Sequence, residues 1–204
     1  MINYLFSAIN KETGFTKEQA DYLVQDIKGK KTIVFVASLP DDFERSDKQL
    51  QQYIRIFSQI NINFIQSAII DKRISPEDAL DLINCSDIVF LLGGAPKQQM
   101  DFILEYNLMS AIKNKKFIIS VSAGSMNQGK RVIYRDDFDN FSLKDYLGLG
   151  IVNINIFPHF DKENLKIVEE TMELKQLQTY LLLPNNSFVR IKNNYVEIIG
   201  NYFS

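Results

Sequence analysis

Short, almost wholly apolar runs alternate along this chain with longer stretches in which apolar residues recur every three or four positions. The apolar runs predict strands at Tyr4–Ile9, Thr32–Ala37, Asn63–Ser67, Ile88–Leu92, Phe117–Val121 and Val152–Phe157. Those around residues 34, 90 and 119 are nearly continuous, the pattern of parallel strands covered by helices on both faces. Between them the helical period predicts Lys17–Lys28, opened by Thr16 and Gln19 as a capping box, and Asp47–Ile60 after Ser46. Ser75-Pro76-Glu77 sets a cap and a first-turn proline before Asp78–Asn84. Pro96 opens Lys97–Lys113, with Met100, Ile103, Leu104 and Leu108 on one face, and Asp161–Lys175 is the last helix expected. The tail changes period. Tyr180–Leu183, Ser187–Ile191 and Tyr195–Ile199, separated by Pro-Asn-Asn and Lys-Asn-Asn, predict an antiparallel hairpin with an Asn-Asn turn. Alternating β and α elements followed by a hairpin predict an α/β fold: a three-layer α/β/α sandwich with a mostly parallel central sheet. No linker, repeat or low-complexity stretch interrupts it, so residues 1–204 read as one domain.

Composition narrows the function more than the fold. The chain has 204 residues, 46% of them hydrophobic, enough to bury a substantial core. Its 23 Lys and Arg against 25 Asp and Glu give a formal net charge of −2. No basic stripe invites nucleic acid. One cysteine excludes an internal disulfide, and with one histidine it leaves a zinc site short of ligands. Cys85, in Asn-Cys-Ser ahead of an apolar strand, is expected to be a small buried side chain. The N-terminus lacks the basic n-region and apolar stretch of a signal peptide. No apolar run approaches the roughly 18 residues of a membrane span. The expectation is a soluble cytoplasmic protein, a monomer or homodimer, with no metal or cofactor and no nucleic-acid or membrane partner.

Two segments carry candidate chemistry. In Phe117-Ile-Ile-Ser-Val-Ser122-Ala-Gly124, a buried strand runs into a turn of small residues with a serine at its apex, as a nucleophile elbow requires. The same pattern also suits an ordinary serine-capped turn. Phe157-Pro158-His159-Phe160 holds the only histidine. Any serine chemistry that needs an imidazole base must therefore use His159, although a histidine between two phenylalanines also suits a packed core. Its strand end is expected on the same edge of the sheet as Ser122, beyond the carboxyl ends of the strands where such folds bind ligands. Gly93-Gly94 ends a neighbouring strand. Glycine there permits the close backbone approach of an oxyanion donor, so the amides of Gly94 and Ala123 are the candidate oxyanion hole. A catalytic histidine also needs a partner to hold its tautomer, and Asp136, Asp137 and Asp161 are the candidates.

Taken together, Gly93-Gly94, Ser122-Ala123-Gly124 and Pro158-His159-Phe160, in this order and spacing, resemble the peptidase E family, which also includes cyanophycinase. Leu91-Leu92-Gly93-Gly94 followed by Gln99 is similar to the family's Gly-Gly segment, and Leu183-Pro184 to a further landmark. The resemblance covers roughly residues 31–200. It implies a class I glutamine amidotransferase-like fold and a serine-type peptidase that cleaves short peptides, N-terminal Asp-Xaa dipeptides among them, through an acyl-enzyme. It puts the family acid on Asp137. Three departures accompany it. Ser120 stands where the family usually has glycine, Ala95-Pro96 replaces Gly-Asn, and the stretch after His159 lacks the arginines expected to hold an aspartyl side chain. Arg131 and Arg135 are the basic residues offered in their place.

Other readings fit less well. A generic α/β-hydrolase needs a crossover between nucleophile and acid that the short span from Ser122 to Asp137 cannot hold. A glutamine amidotransferase needs cysteine at the elbow, and Asp161 fits its His-x-acid spacing. A binding or sensing module that kept the fold and lost catalysis is the alternative outside enzymology.

Overall fold

The computed structural model describes residues 1–136, 142–161, 163, 166, 170 and 180–203. Five parallel strands, β1 (Ile2–Phe6), β2 (Thr32–Val36), β3 (Gln66–Ile70), β4 (Ile88–Leu91) and β5 (Phe117–Val121), form the centre. Two short pairs stand apart from them: β6 (Arg131–Asp136) with β7 (Ser142–Leu147), antiparallel, and β8 (Ile156–Pro158) with β9 (Leu181–Leu183), parallel. A final hairpin, β10 (Phe188–Lys192) and β11 (Tyr195–Ile199), adds antiparallel to β1, giving the order β11-β10-β1-β5-β4-β2-β3. The helices are α1 (Lys17–Ile27), α2 (Phe43–Gln59), α3 (Pro76–Cys85), α4 (Pro96–Glu105), α5 (Met109–Lys113) and α6 (Ala123–Gln128).

Strand side chains alternate between two covered faces. Ile33, Phe35, Ile88, Phe90, Phe117 and Ile119 pack with Leu23 and Ile27 of α1 and with Tyr53, Ile56 and Phe57 of α2. Val34, Val36, Val89, Leu91 and Ile118 face Ala79 and Ile83 of α3, Met100 and Ile103 of α4 and Ile112 of α5. This double burial is the cause of the continuous apolar runs. The result is the expected three-layer α/β/α architecture around a mostly parallel sheet.

Several elements differ from expectation, each for a local reason. α2 begins at Phe43, because the Asp42 side chain accepts from Arg45 N, and Ser46 is buried inside the helix. The expected Lys97–Lys113 is two helices. Asn107 adopts a left-handed φ of 55°, while Asn107 N bonds Leu104 O and Leu108 N bonds Ile103 O, a Schellman stop sealed by Leu108. Within α4, Leu104 lies off the buried face and is 49% exposed. β3 starts at Gln66, since Ile62 and Phe64 pack on the core ahead of the strand. Of Val152–Phe157 only β8 is strand, and it lies outside the central sheet. Leu181–Leu183 pairs with β8 and not with the final hairpin, whose Asn193-Asn194 turn has two positive φ values as expected. The β6–β7 hairpin was not expected. Cys85 is exposed, contrary to its expected burial. The Asp161–Lys175 helix lies mostly outside the described residues. Among those described, no helix is long and apolar enough to cross a membrane.

Candidate active site

The carboxyl ends of β1, β4 and β5 meet at Ser122. Its N–H donates to Phe6 O at 2.9 Å, and its own carbonyl accepts from Met126 N at 3.0 Å, which starts α6. Between these anchors Ser122 is bent to φ 50°, ψ −111°. A non-glycine residue there stores on the order of 1–3 kcal/mol, held only by its surroundings. Those surroundings are tight. A Cβ on Gly124 would lie 2.3 Å from Leu91 O, so glycine is what lets α6 sit against β4. Ser120, where the resemblance leads one to expect glycine, is buried. Its hydroxyl donates to Tyr4 O at 2.8 Å and accepts from Gln128 Nε2 at 2.7 Å.

His159 follows β8 and is likewise left-handed, with φ 58°. Its N–H donates to Ser7 Oγ at 2.8 Å, and Ser7 Oγ donates to Leu183 O at 2.8 Å. Phe160 N bonds the same Leu183 carbonyl at 3.1 Å. The ring is thereby turned so that Nε2 lies 2.7 Å from Ser122 Oγ. Nδ1 lies 2.7 Å from Asn185 Oδ1. The serine and histidine singled out from sequence are hydrogen-bonded, although β8 reaches the site from outside the central sheet.

Gly93 and Gly94 form the facing wall. Gly93 O accepts from Ser38 Oγ at 2.7 Å and from Gln49 Nε2 at 3.2 Å. In a trans peptide the following N–H points the opposite way, so these bonds turn the Gly94 amide away from Ser38. Gly94 has φ 149°, and a Cβ there would meet Ser38 Oγ at 2.2 Å. Ala123 N–H opens α6 and has no intrahelical acceptor. Behind this wall, Gln99 Nε2 donates to Val36 O and Leu92 O, and its Oε1 accepts from Asn127. Tyr146 donates to Asn127 Oδ1 at 2.9 Å, and burial pushes that phenol well above its ordinary pKa, keeping it a donor.

Ser122, His159, Gly93 and Gly94 line one cleft of about 300 Å³. Its remaining walls include Ile9, Val121, Gln49 and Tyr53, with the cations Lys11 and Arg45. Arg45 Nε is buried with no acceptor among the described residues. The Tyr53 hydroxyl is pushed up by burial, a rise that Arg45 partly offsets.

Of the acid candidates, Asp137 lies outside the described residues. Asp136 is the last residue of β6, opposite Ser142, with the Tyr134 hydroxyl 3.4 Å away. Asp161 accepts from Glu163 N at 2.9 Å. Arg131 is not a cleft residue: it forms a two-point ion pair with Asp145, at 2.8 and 2.7 Å. Arg135 lies opposite Leu143 in the same hairpin. Sequence reasoning missed Ser7, Arg45 and Asn185. Their only local sign is the turn chemistry of Pro184-Asn-Asn around Asn185.

With this geometry in hand, the chain matches Peptidase family S51 over residues 5–199. It belongs to that family. The resemblance read from three short segments is thus a family membership that spans nearly the whole chain. A search of curated proteins finds no match. Among solved structures, this S51 peptidase is similar to a candidate peptidase E protein from Listeria monocytogenes EGD-e, with a TM-score of 0.69 and 15% identity. That match covers 97% of this chain and 96% of the other. It is also similar to a peptidase from an acI-B1 Actinobacterium, with a TM-score of 0.70 and 15% identity over 98% and 87% of the two chains. At such identity these neighbours speak for the fold of the S51 chain.

Proposed function

We propose that the chain is a serine peptidase of short peptides that works through an acyl-enzyme on Ser122. The observation that carries this reading is the 2.7 Å contact between Ser122 Oγ and His159 Nε2 at a strained strand-to-helix turn. As Ser122 Oγ bonds the scissile carbonyl carbon, His159 Nε2 takes its proton. The carbonyl oxygen gains the negative charge and is held by the amides of Gly94 and Ala123, each worth on the order of 100- to 1000-fold in rate. The C–N bond then breaks, and His159 returns the proton to the leaving amine. Water, losing a proton to His159, attacks the acyl carbon and frees Ser122. Asp137 is the carboxylate that the family resemblance assigns to steadying the imidazolium.

Substrate preference is read from the cleft. Arg45 and Lys11 bring positive charge to its walls, which suits a carboxylate. A dipeptide or short peptide with an acidic N-terminal residue is the substrate this favours, so the cations sought at Arg131 and Arg135 are assigned instead to α2 and the β1–α1 loop. A panel of dipeptides, Asp-Xaa and Ala-Xaa included, tests the reading. Turnover that is lost in Ser122→Ala and in His159→Ala is expected. A wild type inert across the panel would leave the non-catalytic binding module as the better account.

A further inference from the structure

The cleft that holds Ser122 does not end at Arg45. A second cavity of about 480 Å³ adjoins it, and Lys11, Arg45 and Gln49 line both. The shared wall stands beside Gly93 and Gly94. Gln49 Nε2 donates to Gly93 O at 3.2 Å, and Arg45 Nη2 lies 3.2 Å from where a Cβ on Gly94 would be. Of the two cavities, His159 borders the first alone. Helix α2 supplies one side of the second, because Arg45, Lys48, Gln49 and Gln52 recur at the spacing of one helical face. The β1–α1 loop supplies another through Lys11. The Lys11 carbonyl accepts from Gln52 Nε2 at 3.2 Å and from Arg55 Nη2 at 3.0 Å, which pins the loop to the helix. The lining carries both signs: Lys11, Arg45 and Lys48 are cations, while Asp42 and Glu44 at the start of α2 are anions.

We propose that the second cavity is a subsite for the N-terminal residue of a peptide, one with a free ammonium and an acidic side chain, and that the residue after it acylates Ser122. Direction is the first reason. His159 returns a proton to the leaving amine, so the departing part of the peptide lies on the His159 side. The retained part runs the other way, past Gly94 and Arg45, where the second cavity opens. Charge is the second reason. An N-terminal Asp or Glu holds an ammonium and a carboxylate a few bonds apart. The cavity offers Asp42 and Glu44 to the one, Lys11 and Lys48 to the other. Its volume lies within the roughly 300–1,000 Å³ of small-ligand sites. A dipeptide fills the first cavity, and a tripeptide such as Glu-Ala-Ala spans both. Ser122 Oγ then bonds the carbonyl carbon of the second residue, and the C–N bond to the third breaks. The third residue leaves as an amine with the proton from His159, and water frees Glu-Ala from Ser122. The position of the cut rests on the serine-peptidase reading, while occupancy of the cavity does not.

Binding is read in the full-length Ser122→Ala chain, by NMR titration with intact tripeptides at low ionic strength. Glu-Ala-Ala should bind roughly 2- to 5-fold more tightly than Ala-Ala-Ala, the gain that an exposed ion pair supplies. That preference should fade in about 1 M salt, where charges act over only about 3 Å. Lys48→Gln should remove most of it. N-acetyl-Glu-Ala-Ala should bind less tightly than the peptide with a free amine, and Glu44→Gln should narrow that gap. Equal binding of Glu-Ala-Ala and Ala-Ala-Ala overturns the proposal, and so does a preference that survives both substitutions. Mass spectrometry of the products made by the wild type then locates the cut. Glu-Ala and Ala are the first products expected. Glu and Ala-Ala would put the N-terminal residue at Ser122 and overturn the proposal while leaving the peptidase reading in place. No cleavage of any peptide, with the Lys48-dependent preference intact, supports the subsite and removes the peptidase reading instead.

Discussion

Ser122 and His159 are both left-handed at φ 50° and 58°, and both lie in the same cleft. Two strained residues facing each other at 2.7 Å need a scaffold that over-determines them, and the scaffold is polar: Phe6 O, Ser7 Oγ and Leu183 O. Arg45 differs from these groups because it brings a positive charge to the wall of the same cleft. Replacing Arg45 by Met keeps most of the stem and removes the charge. A hydrogen bond to a charged group is worth about 1.5–3 kcal/mol, so kcat/KM for an Asp-Xaa dipeptide is expected to fall roughly 10- to 100-fold. Turnover of Ala-Xaa should change little. The ratio of the two specificity constants is the measurement, and an equal loss on both would take Arg45 out of side-chain recognition.

At the scale of elements, the close approach of α6 to β4 decides where the serine sits. Gly124→Ala would drive a Cβ to within 2.3 Å of Leu91 O, with backbone on both sides of the clash. Overpacking of this kind costs about 1–3 kcal/mol, a drop of several degrees in Tm for a chain of this size. A thermal melt checks it, and an unchanged Tm would mean that α6 can shift away freely. The elements most legible in the sequence were those whose burial is uniform. β5 runs from Phe117 to Val121 as expected, because all five residues are buried. The β6–β7 hairpin was hidden because Arg131–Asp136 is mixed in polarity and only Val132 and Ile133 are buried. The break at Asn107 was written in the chain, as an asparagine followed by an apolar residue, but the helical period on either side masked it.

Across the whole molecule, one buried charge cluster ties the ends of the chain together. Asp26 of α1 accepts from Arg190 Nε at 2.7 Å, Arg190 Nη2 at 2.9 Å, Lys192 Nζ at 2.9 Å and Tyr4 Oη at 2.8 Å. Burial alone would raise the Asp26 pKa, but the hydrogen bonds from Arg190, Lys192 and Tyr4 outweigh it and hold the carboxyl down to about 2. A carboxylate depressed in the folded state adds stability above its unfolded pKa, and that stability is lost as pH falls toward the folded value. Here the contribution is on the order of 2 kcal/mol, lost between about pH 4 and pH 2. Urea midpoints across that window should fall less steeply in Asp26→Asn than in the wild type, and equal slopes would refute the linkage. The same distance in sequence explains what could be read of the site. Ser122 and His159 were legible because one sits at a turn of small residues and the other has no rival. Ser7, Arg45 and Asn185 act only where distant segments meet, and no local period marks them. What the account rests on is the pairing of Ser122 with His159, and intact-protein mass spectrometry after exposure to a fluorophosphonate reads it directly. One adduct on Ser122, lost in Ser122→Ala and much slowed in His159→Ala, is the predicted result. A wild type left unmodified, or an adduct formed equally fast without His159, would contradict it.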